Sequence, residues 1–197
     1  MGSTFRGAYC VARTRLRGPC CLRDRNTPGL AFPATIFCVP GYHFTLHAYR
    51  SWRPDHPRGY TKRGEGYQPP SEEIADQYDR NVKQDAVTFR REIQQEILDL
   101  ARSICEEEGW RLEAAGFDEG HTHLVVSWRG FNRWEDVDRR LKNLLSLKLN
   151  RAHETPGKRW FVRGRSAPRR VRRKHFDYLI ETYLPDHPGI FWKRKND

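Results

Sequence analysis

Apolar and polar positions alternate along Tyr42 to Trp52, with Tyr42, Phe44, Leu46 and Ala48 on one side and His43, Thr45, His47 and Tyr49 on the other. A period of two predicts a first strand with one face toward a core. Proline, glycine and basic residues interrupt the pattern from Arg53 to Pro70, which predicts a loop. Ser71 followed by Glu72 and Glu73 supplies a helix cap and acids for the positively polarised first turn. Ile74, Tyr78, Val82, Phe89, Ile93, Ile97, Leu100 and Ile104 then recur at steps of three, four or seven and predict one long helix ending at Gly109. Trp110 to Phe117 predicts a second strand, Asp118-Glu119-Gly120 a tight turn, and His121 to Trp128 a third strand. From Asn132 a second amphipathic helix turns Trp134, Val137, Leu141, Leu144 and Leu145 inward. Lys158 to Val162 predicts a fourth strand, and a last helix runs from near Arg172 through Tyr178 and Tyr183 until Pro185 and Pro188 end it. Strand, helix, strand, strand, helix, strand is the order of a ferredoxin-like split βαβ fold: α+β, an antiparallel sheet with helices on one face, here with a C-terminal tyrosine-bearing helix added.

Composition changes this picture in two ways. Residues 1–38 are rich in Arg, Gly, Pro and Cys without either period, so we expect a disordered extension, or upstream sequence translated from a misplaced start. The folded domain is expected over 39–192, with 193–197 as a basic tail. Lys and Arg number 36 against 25 Asp and Glu, a formal charge of +11, beside 6 Trp, 8 Tyr and 10 Phe. Cations to meet phosphate and rings to meet bases are the equipment of a nucleic-acid binder. Five cysteines without paired spacing support neither a disulfide framework nor a zinc ribbon. No apolar run approaches the roughly 18 residues of a membrane span, and no signal-peptide core opens the chain, so the expected setting is cytoplasmic and nucleoid-associated.

The candidate chemistry centres on His121 and His123. Two imidazoles at i and i+2 of a strand share a face and form half of a divalent-metal site. In the split βαβ order their strand neighbours the one carrying His43 and His47, while the last helix packs across the same sheet and brings Tyr178 or Tyr183 close. A metal held by imidazoles stabilises charge on a phosphodiester while a phenolate attacks phosphorus, which gives a phosphotyrosine intermediate. His43 and His47, with Arg163, Arg165, Arg169, Arg170, Arg172, Arg173 and Lys174, are the expected DNA contacts, because so much like charge in one connector repels itself until a polyanion neutralises it.

The His-x-His strand ahead of a basic helix, the Trp160-Phe161-Val162-Arg163-Gly164 segment and the late tyrosine helix together resemble the single-tyrosine transposases of the HUH superfamily, including the REP-associated ones, over about residues 39–192. The resemblance implies cleavage and rejoining of single-stranded, hairpin-bearing DNA with Mg²⁺ or Mn²⁺, in some members by a homodimer. It places the metal pair at His121 and His123 and the nucleophile at Tyr178, with Tyr183 as the alternative. Four residues past the tyrosine the family tends to carry Asn or Gln as a third metal ligand; past Tyr178 stands Thr182, with Glu181 beside it, and past Tyr183 stands His187, beyond Pro185. Thr122 and Gly120 also depart from the family's bulky residue between the histidines and its Asn or Asp before them. Two other readings fit parts of the chain: an RRM-like binder that has lost turnover, and a 2H phosphoesterase, whose His-x-Thr pattern His43-Phe44-Thr45 matches but His121-Thr122-His123 does not.

Overall fold

The computed structural model describes residues 41–62, 64–163 and 168–195. The expected extension over 1–38 and Arg165 lie outside the described residues. Strand β1 (Gly41–His47) pairs antiparallel with β5 (His121–Trp128), and β5 pairs with β4 (Trp110–Phe117) across the predicted turn. The outer strands are β6 (Arg169–Val171) against β1 and β7 (Phe191–Lys193) against β4, which gives one five-stranded antiparallel sheet in the order β6-β1-β5-β4-β7. The first and third strands of the predicted order thus lie centrally, side by side, in an α+β fold.

The sheet has two unequal faces. Phe44, Leu46, Leu124, Val126, Leu112 and Phe117 face helices α2 (Arg91–Glu107) and α3 (Trp134–Ala152), where Ile97, Ala101, Ile104, Leu141 and Leu145 complete the main core. Each is nearly or wholly excluded from water, so a truncation such as Leu124→Ala should cost about 2–5 kcal/mol. Among the described residues the opposite face is covered by a short C-terminal layer: helix α4 (Arg173–Tyr178), a π-helical turn (Leu179–Tyr183) and the segment after it. Leu179 and Leu184 bury themselves there against Ala114, Val125 and Val171.

Four expectations about elements are corrected. The single long helix is two, α1 (Glu72–Arg80) and α2, with α1 capped by Ser71 Oγ as predicted. Between them the chain is extended: Val87 donates to the Tyr49 carbonyl, Phe89 donates to that of Glu119, and Gln84 exchanges two hydrogen bonds with the Arg159 backbone. These tertiary bonds, with Phe89 buried in the core, replace the helical ones. The fourth strand is not Lys158–Val162, which makes one bridge, Phe161 to Ala48; Trp160 and Phe161 are buried in succession, against strand alternation. The pairing on that edge falls to β6. The loop over 53–70 contains a small hairpin, β2 (Tyr60–Lys62) with β3 (Gly66–Gln68). Finally, Lys193, placed in the basic tail, belongs to β7, and Arg194 donates to the carbonyl of Glu113, where β4 bulges.

The C-terminal segment is held by backbone contacts. Gly189 donates to the Phe117 carbonyl, and Ile190 donates to Oε1 of Gln94, a buried side chain whose Nε2 donates to the Phe89 carbonyl. A Cβ on Gly189 would lie 2.4 Å from Gln94 Oε1 and 2.5 Å from the Phe117 carbonyl oxygen, so the strand and the segment cannot both keep their places. Gly189→Ala is therefore expected to cost about 1–3 kcal/mol in denaturant unfolding, and a variant as stable as the parent would contradict this packing.

Candidate metal and tyrosine centre

Antiparallel pairing sets Thr45 opposite His123 and His47 opposite His121, all on the face away from the main core. His43 Nε2 lies 2.9 Å from His123 Nδ1, and Thr45 Oγ1 lies 3.1 Å from the same nitrogen. A proton on His123 Nδ1, shared with these neighbours, leaves Nε2 with its lone pair directed at the C-terminal layer. The Tyr183 hydroxyl stands 3.4 Å from that Nε2. On the other side Asp118 accepts hydrogen bonds from the backbone N–H groups of Gly120 and His121 and holds His121 Nδ1 at 2.9 Å, which frees Nε2 of that ring. The tight turn thus orients the first histidine of the pair.

The third donor comes from beyond the helix. Leu184 donates to the Leu179 carbonyl five residues back, so one turn is wound wide, and Pro185, lacking an N–H, ends it. The chain then doubles back, and the His187 ring stacks on His123 with centroids 4.6 Å apart. One nitrogen each from His121, His123 and His187 lies within 4.8 Å of the others. His187 Nε2 is buried and has no hydrogen-bond partner. Three clustered imidazoles, one with a buried nitrogen unpartnered among the described residues, fit a divalent transition-metal ion, which the all-nitrogen donor set favours over Mg²⁺.

Burial lowers the proton affinity of the strand histidines. Burial first, then the surrounding histidines, pushes His123 down to about 2. Burial, His175 and Arg169 take His43 to about 4. His121 and His47 are also lowered by burial, Asp118 opposing the shift in each. The Tyr183 phenol is raised by burial and then by Tyr178, so it is protonated at neutral pH.

The sequence-predicted residues divide accordingly. His121 and His123 stand at the centre. His187 joins them in the group able to hold a metal; Glu181 and Thr182, the residues expected as third ligand, are exposed and lie outside that group. Tyr183 touches His123, whereas Tyr178 is 52% exposed; both line a cavity of about 360 Å³, their rings 6.2 Å apart. His43, expected as a DNA contact, is buried behind His123 and within hydrogen-bond distance of its Nδ1. His47 is exposed and lies against His121, ring centroids 5.5 Å apart. Arg169 lines the tyrosine cavity, while Arg170, Arg172, Arg173 and Lys174 are exposed along β6 and the start of α4, with Arg173 paired to Asp177. Arg163 is exposed beyond the far end of β1. Sequence reasoning passed over Asp118 and His175; an acid three residues before His121 was the available signal for the first.

No protein-family model and no curated protein matches the chain. Among solved structures it is similar to a crystal structure described as a putative transposase from Deinococcus radiodurans R1, at 13% identity and a TM-score of 0.44, covering 84% of this chain and 100% of that one. Among the described residues no helix is long and apolar enough to cross a membrane.

The neutral histidines make folding acid-sensitive. An unfolded histidine takes a proton near pH 6.5, but folded His43 does so only near 4 and His123 near 2, so protons favour the unfolded chain. Their stabilisation is complete above about pH 6.5 and is lost as pH falls toward about 4. In EDTA the melting temperature should drop between about pH 7.5 and about pH 5; a melting temperature constant across that window would contradict the burial of these rings.

Proposed function

We propose that this chain is a single-tyrosine strand transferase that cuts and rejoins single-stranded DNA, with Tyr183 as nucleophile and His121, His123 and His187 as the holders of a divalent ion. The observation that carries this reading is the 3.4 Å approach of the Tyr183 hydroxyl to His123 Nε2 beside the orphaned His187 Nε2. His121, His123 and His187 would hold the ion, whose charge would polarise a phosphodiester oxygen and offset the charge of the transition state.

The protein's own groups do the rest. Arg169 lines the tyrosine cavity and draws the phosphate in, while His43 and Thr45 fix the His123 ring from behind. The Tyr183 oxygen attacks phosphorus and loses its proton to water in the open cavity; the bond to the 3′ oxygen breaks, and that oxygen leaves as a hydroxyl after taking up a proton. The product is a 5′-phosphotyrosine ester. A new 3′-hydroxyl can attack the same phosphorus and release Tyr183, so the energy of the cut bond is kept and no nucleotide cofactor is consumed. Tyr178 is the second candidate nucleophile, since it lines the same cavity and is open to a strand. Mn²⁺ suits the three nitrogens better than Mg²⁺.

The test is a denaturing gel with labelled single-stranded hairpin DNA from the flanks of the gene, in Mn²⁺ or in EDTA. We expect a denaturant-resistant adduct in Mn²⁺ only, retained by Tyr178→Phe and abolished by Tyr183→Phe. The converse pattern would assign the nucleophile to Tyr178. Absence of any adduct, with tight binding whose logarithm falls linearly with log salt, would identify a binder without turnover, and metal-free hydrolysis of cyclic phosphates a 2H-type enzyme.

A further inference from the structure

A second cavity, of about 890 Å³, opens beside the histidine centre at the far end of β1, between the α1 layer and the Arg159 to Arg163 segment. Its size lies within the roughly 300–1,000 Å³ typical of sites for small organic groups. His47 lines it and lies beside His121, ring centroids 5.5 Å apart, so a single side chain separates the cavity from the centre. Three aromatic rings, Tyr49, Trp52 and Tyr78, share the lining with four arginines, Arg50, Arg53, Arg159 and Arg163, and with no carboxylate.

Tyr49 packs against the main core, whereas Trp52 and Tyr78 stand out from it. Tyr78 is 60% exposed on α1, and Trp52 is 47% exposed, with one ring face against His56 and its indole N–H donated to the Gly59 carbonyl. Arg50 and Arg53 are both paired with Asp79, which fixes that wall. Among the described residues the Arg159 and Arg163 side chains have no acidic partner. Gln77 and Asn81 add amide groups one turn apart on α1, able to donate and accept along a base edge.

We propose that this cavity is a base-stacking subsite for the same single DNA strand, holding a nucleotide next to the one cut at Tyr183; the inference rests on the strand-transfer reading. A base stacks on Tyr78 and Trp52, and its phosphates lie on Arg159 and Arg163. Every base has a flat face, so rings supply affinity with little sequence preference, while arginines track the backbone and the amides of Gln77 and Asn81 select among bases. A duplex cannot use the site, because its bases are already stacked.

The test uses the full chain in EDTA, where no cutting occurs, with a labelled mixed-sequence single-stranded oligodeoxynucleotide and the same sequence as duplex. Tyr78→Ala, a surface change on α1, should weaken single-strand binding roughly tenfold and leave duplex binding unaltered. Arg159→Ala should weaken it and flatten the salt dependence. Photocrosslinks from iodouracil in the strand should map to Trp52 or Tyr78. Parent-like affinity in both Tyr78→Ala and Trp52→Ala, or crosslinks confined to other surfaces, would overturn the proposal. Tyr183→Phe separates the two readings, because it should bind like the parent here while forming no adduct in Mn²⁺. If Tyr78→Ala weakens binding but no protein forms an adduct, the subsite stands and strand transfer falls; if adducts form and Tyr78→Ala binds as the parent does, the reverse holds.

Discussion

The register between β1 and β5 is the constraint on which everything else depends. It sets Thr45 opposite His123 and His47 opposite His121, and puts Phe44 and Leu46 with Leu124 and Val126 on the far side. A slip of one residue would turn the imidazoles into the main core and the leucines onto the exposed face. The heavy burial of the core side therefore pins the polar side, and the chemistry inherits its precision from hydrophobic packing.

The second half of the centre is built by a different device. A widened helical turn, a proline and the clamp of Gly189 and Gln94 fold the C-terminal layer so that Tyr183 and His187 arrive over the strand histidines. The wide turn brings residues five apart closer to one face than an α-helix does, and Tyr178 and Tyr183 line one cavity. The layer has a small apolar cluster of its own, Leu179 and Leu184 against Val125 and Val171, so it depends on backbone contacts more than the α2 and α3 side does.

Much of this was legible in the sequence because period-two and period-3.6 patterns are strong where one face is deeply buried. The strands at 110–117 and 121–128 and the His121 and His123 pair follow from alternation, α3 from the 3.6 period and the Ser71 cap from its residue type, whereas the first strand, expected over Tyr42 to Trp52, ends at His47 with a single bridge at Ala48 beyond it. What escaped was decided by contacts between distant residues. Val82 and Phe89 continue a helical period, yet the chain between them is extended, because Gln84, Val87 and Phe89 find better partners on Arg159, Tyr49 and Glu119. Likewise Thr182 and Glu181 sit at α-helical spacing from Tyr178, and only the π-helical turn and Pro185 make His187 the donor. Arg169 to Val171 carries little strand signal and pairs with β1 because that edge is open to it.

The strand-transfer reading needs three histidines, two from a strand and one from beyond the helix, to act as a single metal site. Mn²⁺ titration followed by isothermal calorimetry on the parent, His187→Ala and Thr182→Ala measures this. We expect one Mn²⁺ per chain, bound much more weakly by His187→Ala and unchanged in Thr182→Ala. Absence of Mn²⁺ binding by the parent, or equal binding by His187→Ala, would contradict it.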